Sequence, residues 1–144
     1  MDDEDVGRRL AAYPLITEIR PRYRDVDPLR HLNNVAQASY YEEGVMALHR
    51  RAFEGLTREP GHGVVFQVTL RFLAEGSYPE PLQLGGGIKR VGRTSYEFTQ
   101  ALFQAGVRIS VCNTVVVYLA DGRPSPLPDA NRAALTSLLV SGHG

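Results

Sequence analysis

The chain has 144 residues, 43% of them hydrophobic, the size of one ordinary domain with enough apolar side chains for a core. Its 16 Lys+Arg balance 16 Asp+Glu for a formal net charge of +0, which excludes a global basic field for nucleic acid and leaves only local patches for phosphates. The single cysteine, Cys112, excludes an intrachain disulfide, and no apolar run approaches the roughly 20 residues of a membrane helix.

The start, MDDEDVGRR, is acidic and polar, unlike a secretory leader. The expected arrangement is a cytoplasmic protein with a flexible segment over 1–14, one domain over 15–140 and a flexible tail over 141–144. The stretch Leu15 to Tyr23, LITEIRPRY, alternates weakly and predicts a strand that Pro21 ends or confines to an edge. A loop, Arg24 to Leu32, follows. Asn33 or Asn34 then suits a helix N-cap, because its side-chain oxygen accepts from free backbone N–H groups. From Val35 to Phe53, Val35, Ala38, Tyr41, Val45, Leu48 and Ala52 fall at helical spacing on one face. Gly44 costs such a helix about 1 kcal/mol against Ala, which marks close packing under a sheet. Gly55, Gly61 and Gly63 punctuate the exit.

The period then changes to two. Val64 to Phe72 sets Phe66, Val68, Leu70 and Phe72 against Gln67, Thr69 and Arg71, the pattern of a half-buried strand. Glu75 to Glu80 is a turn. Leu82 to Val91 is a strand interrupted by Gly85, Gly86 and Gly87, a bulge or a close backbone approach. Gly92-Arg93 turns the chain. Thr94 to Phe103 and Val107 to Leu119 are two more strands, joined around Ala105-Gly106. Asp121 to Pro124 closes the last one. Asp129 is an N-cap candidate for a short helix over Ala130 to Leu139. Strands joined by short turns run antiparallel, and one amphipathic helix with such a sheet is α+β. Val111 to Leu119, VCNTVVVYL, is apolar enough that a second copy is expected over its edge or outer face. That predicts a homodimer or a dimer of dimers. Cys112 lies in this run and reads as a buried, inert thiol.

The chemistry concentrates between Arg22 and Glu43, RYRDVDPLRHLNNVAQASYYEE. A loop that only turns does not need this much titratable and amide chemistry, and loops on rigid elements are where reactive groups sit. The segment resembles the hotdog-fold acyl-CoA thioesterases, in the 4-hydroxybenzoyl-CoA thioesterase-like branch. The resemblance rests on Tyr23, Asp25, Asp27, His31, Asn33, Asn34, Tyr40, Glu42 and Glu43. Val91 to Ser95, VGRTS, and Gly122 to Pro128, GRPSPLP, extend it over roughly Leu15 to Leu135. It implies an antiparallel sheet wrapped around the long helix, dimers sharing one sheet, and metal-free hydrolysis of an acyl-CoA thioester at a dimer interface. In that branch the second acid of D-x-D carries the chemistry, here Asp27. Three departures stand out. Arg30 replaces a usual glycine. Gln37 and Val45 replace a usual aromatic and a frequent arginine. The run Gly85-Gly86-Gly87 is unexpected in a family strand.

Thioester hydrolysis needs a base or carboxylate nucleophile and donors for the developing oxyanion. Asp27 suits either role, and Pro28 biases it toward extended backbone; the bland alternative is an acid capping a turn. In extended chain Asp25 points the same way as Asp27, or it pairs with Arg22 or Arg24. His31 donates to the carbonyl, orients water, or is structural near the helix start. Asn33 and Asn34 cap the helix, whose free N–H groups also polarise a carbonyl. One of Glu42 and Glu43 is expected near the apolar face. Tyr40 and Tyr41 are core or pocket residues. Lys89, Arg90, Arg93 and Ser95 form a cationic turn that CoA phosphates or solvent would occupy.

The candidate catalytic residues are therefore Asp27, His31 and Asn34. The candidate substrate contacts are Asp25, Arg30, Asn33, Tyr40, Glu42, Arg93 and Ser95. His49, His62 and His143 lack ligand spacing, so neither a metal nor a cofactor is expected. Two other functions remain open: an acyl-CoA or acyl-ligand binding protein without turnover, and a hotdog-fold enoyl-CoA hydratase or dehydratase. For the latter, DVDPLRH carries an acid where an amide is needed and its histidine one residue late.

Overall fold

The computed structural model describes residues 7–54 and 61–141. Its elements are β1 (Leu15–Ile19), α1 (Asn34–Phe53), β2 (His62–Phe72), β3 (Leu82–Val91), β4 (Ser95–Gln104), β5 (Val107–Ala120), β6 (Arg123–Pro124) and α2 (Asp129–Thr136). The strands form one sheet in the order β1-β3-β4-β5-β2, with the short β6 on β5; every strand pairing is antiparallel. The fold is α+β, a sheet wrapped around one long helix in the hotdog arrangement. The strand links follow the turn chemistry of the sequence. Ala105 and Gly106 have φ 50 and 79, and Asp121 and Gly122 φ 53 and 74, the paired left-handed conformations that suit two-residue hairpins.

Asn33 starts α1: its side chain accepts from the Val35 and Ala36 amides at 2.6 and 3.3 Å. The buried face is Gln37, Tyr40, Tyr41, Gly44, Val45, Leu48 and Ala52. The apolar spacing predicted Val35 and Ala38 on this face, but both are exposed, Val35 at 76%. Two polar side chains displace them because they find partners inside: Gln37 accepts from Ser110, and Tyr40 donates to Asp25. Glu42 and Glu43 both face solvent, so neither approaches the apolar face as expected.

Gly44 is the point of closest approach. A Cβ there would lie 1.8 Å from Gln100 Oε1 and 2.9 Å from Leu84 Cδ2. One core cluster joins Val45 and Leu48 to Ile88, Phe98, Val116 and Leu135. The second joins Leu32, Tyr40 and Tyr41 to Leu84, Leu102 and Cys112. Cys112 is buried as expected, and burial pushes its thiol pKa up.

The glycine run of β3 is a double close approach. On one side Leu48 lies 3.3 Å from where a Gly86 Cβ would sit; on the other, Tyr13 packs on Gly85, and Pro14 and Val140 on Gly87. Packing therefore begins before Leu15. Ala12 and Tyr13 are buried, the Tyr13 ring meets Phe103 edge-on, and burial pushes its phenol up to about 12. The remaining residues of the two end segments, 1–6 and 142–144, lie outside the described residues, as do Gly55 and His143.

Two assignments at the sheet edges change. The tail helix was expected to run from Ala130 to Leu139 behind an Asp129 cap. It ends at Thr136 and has Pro128 in the cap position. The chain then pairs Leu139 in parallel with Ile88, through Ile88 N–H to Leu138 O and Val140 N–H to Ile88 O, both 2.8 Å. That covers the part of the β3 edge which the short β1 does not reach. Second, β5 is not an edge: β4 and β2 flank it. The sheet ends at β1 and β2, and β2 is the longer open edge. Its alternation predicted a half-buried strand, yet Phe66, Val68 and Phe72 are 73%, 54% and 42% exposed. The helix packs on β3 and β4, leaving β2 unburied.

Candidate active site

The segment before α1 is held by a short chain of local hydrogen bonds. A 3-10 turn, Tyr23–Asp25, breaks the extended backbone, so Asp25 and Asp27 do not share a direction. Asp25 turns inward. Its carboxylate accepts from the Arg22 amide at 2.9 Å and the Tyr40 hydroxyl at 2.5 Å, and pairs with the Arg22 guanidinium at 3.5 Å. Burial favours the neutral acid, but the bonds from Tyr40 and Arg22 outweigh it and hold the pKa below the usual carboxylate value. Burial, and then Asp25 itself, raise the Tyr40 phenol. The Asp25 carbonyl accepts the Asn33 amide at 2.7 Å. Asp25, Tyr40 and Asn33 thus fasten the loop to the helix start instead of lining the cleft beside it.

Asp27 turns outward. Its Oδ1 accepts the Leu29 and His31 amides at 2.9 and 3.0 Å. The loop is closed by Arg30 N–H to Asp27 O and Asp27 N–H to His31 O, both 2.9 Å. Arg30 has φ 66, the left-handed conformation for which glycine is the default. A glycine would adopt that conformation without the cost that Arg30 bears. The turn-capping role of Asp27 is therefore real, but it uses one carboxylate oxygen. Among the described residues Oδ2 has no hydrogen-bond partner.

A cleft of about 410 Å³ lies beside this loop, lined by Asp27, His31, Asn34, Gln37, Phe72 and Glu75 among others. His31 Nε2 meets Glu75 Oε2 at 2.9 Å. The Leu32 amide donates to Gly76 O at 2.9 Å, tying the loop to the segment that follows β2. At the helix start, Asn33 Oδ1 takes the Val35 and Ala36 amides, and Asn33 O takes that of Gln37. The Asn34 N–H is the first-turn amide that donates to none of the described residues.

The structure thus gathers Asp27, His31 and Asn34 around one cleft. Asp25, Asn33 and Tyr40 stand behind it. Arg30 is exposed on the loop and Glu42 on the helix. Arg93 and Ser95 lie elsewhere. Ser95 is seven positions along β4 from Leu102, whose neighbour across Ser110 is Phe72; that is roughly 23 Å at strand rise. The cationic turn is also partly neutralised, since Glu97 pairs with Arg90 at 3.3 Å and Lys89 at 3.8 Å. Gln37 lines the cleft and was noted in the sequence only as a departure from an aromatic. Among the described residues, no group of three or more His, Cys, Asp or Glu is arranged to hold a metal ion.

Comparison with known proteins gives this arrangement a context. No curated protein matches the chain. Solved structures do. A protein from Pseudomonas aeruginosa strain PAO1 is similar with TM-score 0.75 and 26% identity, over 92% of this chain and 96% of that one. A predicted thioesterase from Bacillus stearothermophilus is similar with TM-score 0.76 and 25% identity, over 87% and 96%. A thioesterase from Thermus thermophilus, solved with coenzyme A and Zn, is similar with TM-score 0.76 and 28% identity, over 88% and 95%. The family model described as thioesterase superfamily matches residues 29–111, beginning two residues after Asp27 and covering more than half of the 144 residues. The chain belongs to the thioesterase superfamily.

Proposed function

We propose that this protein hydrolyses an acyl-CoA thioester to the free acid and CoA, with Asp27 as the reacting carboxylate. The observation that carries this reading is the division of labour at Asp27. One oxygen is anchored by two backbone amides, and the other is left for a water or carbonyl in the cleft. As a general base, Asp27 takes a proton from water while the oxygen attacks the thioester carbon. The tetrahedral intermediate then expels the thiolate, which recovers the proton. The Asn34 N–H is the donor proposed for the oxyanion, and His31, its Nε2 held by Glu75, orients the water through its other ring nitrogen. The coenzyme A bound by the similar Thermus thermophilus enzyme supports CoA as the thiol carrier.

The working unit in this reading is a homodimer, formed by antiparallel pairing of two β2 edges. The exposed Phe66 and Val68 and the unpaired backbone of that edge support it. Such a twofold pairing exchanges strand ends, so the Arg93–Ser95 turn of a second copy would approach the cleft of the first. This is where CoA phosphates would meet it. The cellular site proposed is the cytoplasm.

The test is thiol release measured with DTNB across short, long and aromatic acyl-CoAs. Asp27→Asn is expected to lower kcat by about a hundredfold or more, the scale of losing a general base, with the fold intact. Undiminished turnover would refute the role of Asp27. If thiol release by the wild type stays at background while CoA esters bind, the non-catalytic binding reading replaces this one. Loss of enoyl absorbance without thiol release would favour hydration.

A further inference from the structure

Gln37 is 2% exposed, yet it lines the cleft. Its amide orientation is set by a directed chain of hydrogen bonds. The Leu102 amide donates to the Tyr41 hydroxyl at 3.0 Å. The Tyr41 hydroxyl is 2.6 Å from Ser110 Oγ, its one acceptor among the described residues. Ser110 must therefore receive that proton and pass its own to Gln37 Oε1, 2.7 Å away. A hydroxyl that donates cannot face the amide nitrogen, so Oε1 points to Ser110 and Nε2 points away. Nε2 has no hydrogen-bond partner among the described residues. It is not sealed either: the one enclosed side-chain polar atom without a partner among them is Gln100 Oε1. The Gln37 amide therefore opens on the cleft with two N–H donors.

Its depth says what those donors meet. Asn34 is exposed at the mouth, and Gln37 lies one helical turn further in, roughly 4.5 Å along the axis. With the thioester beside Asp27 and Asn34, the acyl group extends toward Gln37. We propose that Gln37 is a specificity residue, and that the acyl group of the substrate carries an oxygen acceptor, a hydroxyl or carbonyl, which Nε2–H recognises. This inference rests on the hydrolysis reading for the position of the thioester. A buried donor left unpaired by a plain hydrocarbon penalises that substrate. The residue acts on substrate choice and takes no part in bond making.

The experiment compares matched pairs, butyryl-CoA against 3-hydroxybutyryl-CoA or acetoacetyl-CoA and benzoyl-CoA against 4-hydroxybenzoyl-CoA. Both thiol-release kinetics and calorimetric binding are measured, on the wild type and on Gln37→Leu. The wild type is expected to favour the oxygenated member of at least one pair by about tenfold in kcat/KM or Kd. Gln37→Leu, similar in volume, is expected to bring that ratio near unity while the plain ester is handled as well or better. Gln37→Glu keeps the bond from Ser110 but presents an acceptor; it can still take the proton of a hydroxyl but cannot pair with a carbonyl, so any preference for acetoacetyl-CoA over butyryl-CoA is expected to be lost. A ratio unchanged in both variants, or equal losses on both members of a pair in folded protein, overturns the proposal. If no ester releases thiol, the hydrolysis reading fails by itself, and the Kd ratios still decide the role of Gln37.

Discussion

Replacing Gly44 by alanine tests how tightly the helix is seated on the sheet. On a solvent-facing helix position this change would stabilise by about 1 kcal/mol, through the intrinsic preference for alanine. Here the new methyl would stand 1.8 Å from Gln100 Oε1, a distance no carbon and oxygen tolerate. Gln100 is fully buried, so its side chain has nowhere to swing. It must give up the 3.1 Å bond from Nε2 to the Tyr41 carbonyl, or the helix must lift. Overpacking costs about 1–3 kcal/mol, and the lost hydrogen bond about 1 kcal/mol. After the propensity gain, Gly44→Ala should be destabilising by about 2 kcal/mol. For a domain of this size that lowers Tm by roughly 4–8 °C. Thermal and urea denaturation of Gly44→Ala, Gln100→Ala and the double variant close a cycle. Gln100→Ala removes the obstructing oxygen, so the double variant should be more stable than the summed singles by more than about 1 kcal/mol. A rise in Tm for Gly44→Ala, or strict additivity in the cycle, would refute the contact.

Arg30, His49 and Phe66 each carry a further prediction. Arg30→Gly relieves a left-handed backbone at φ 66, and should stabilise by up to about 1 kcal/mol in urea denaturation, while Arg30→Ala changes little; equal effects of the two would show no strain there. His49 stacks on Phe53, meets Phe98 edge-on and bonds Tyr96; burial holds its imidazole pKa below the ordinary value. The unfolded chain therefore takes up the proton first, near about pH 6.5, so stability is full above that pH and falls as pH drops below it. His49→Phe should flatten the decline of Tm on acidification, and an unchanged slope would assign the effect elsewhere. Phe66 on the β2 edge is 73% exposed, so Phe66→Asp should leave the fold intact while converting the proposed dimer to monomer in analytical ultracentrifugation. A wild type that sediments as a monomer at micromolar concentration would remove the dimer proposal.

The residues that cluster at the cleft were legible early because they are close in the chain. Asp27, His31 and Asn34 sit within one loop and one helix start, and Asn33 caps that start through its own side chain. The partners of Asp25 were legible only in part. Arg22 is three residues away and visible; Tyr40 lies fifteen residues on and comes near only because α1 folds back over the loop. Gln37 was hidden for a different reason. A polar residue at a helix position reads as solvent-facing until a Ser110 seventy-three residues later supplies its partner.

Local period and turn residues were enough for the α1 span, the antiparallel strand succession, the turn at Ala105-Gly106 and the buried thiol of Cys112. Hydrophobic spacing and turn chemistry act between neighbours a few residues apart, so they can be read in one dimension. The tertiary structure decided which strand is left open and which end segments cover the glycine run. It also decided which way Asp25 and Asp27 diverge, and that Gln37 and Tyr40, not Val35 and Ala38, join the buried face of the helix. Each of those outcomes depends on a partner far along the chain. Exposed β2 and interior β5 carry similar apolar patterns, and only the placement of a finite helix over β3 and β4 tells them apart.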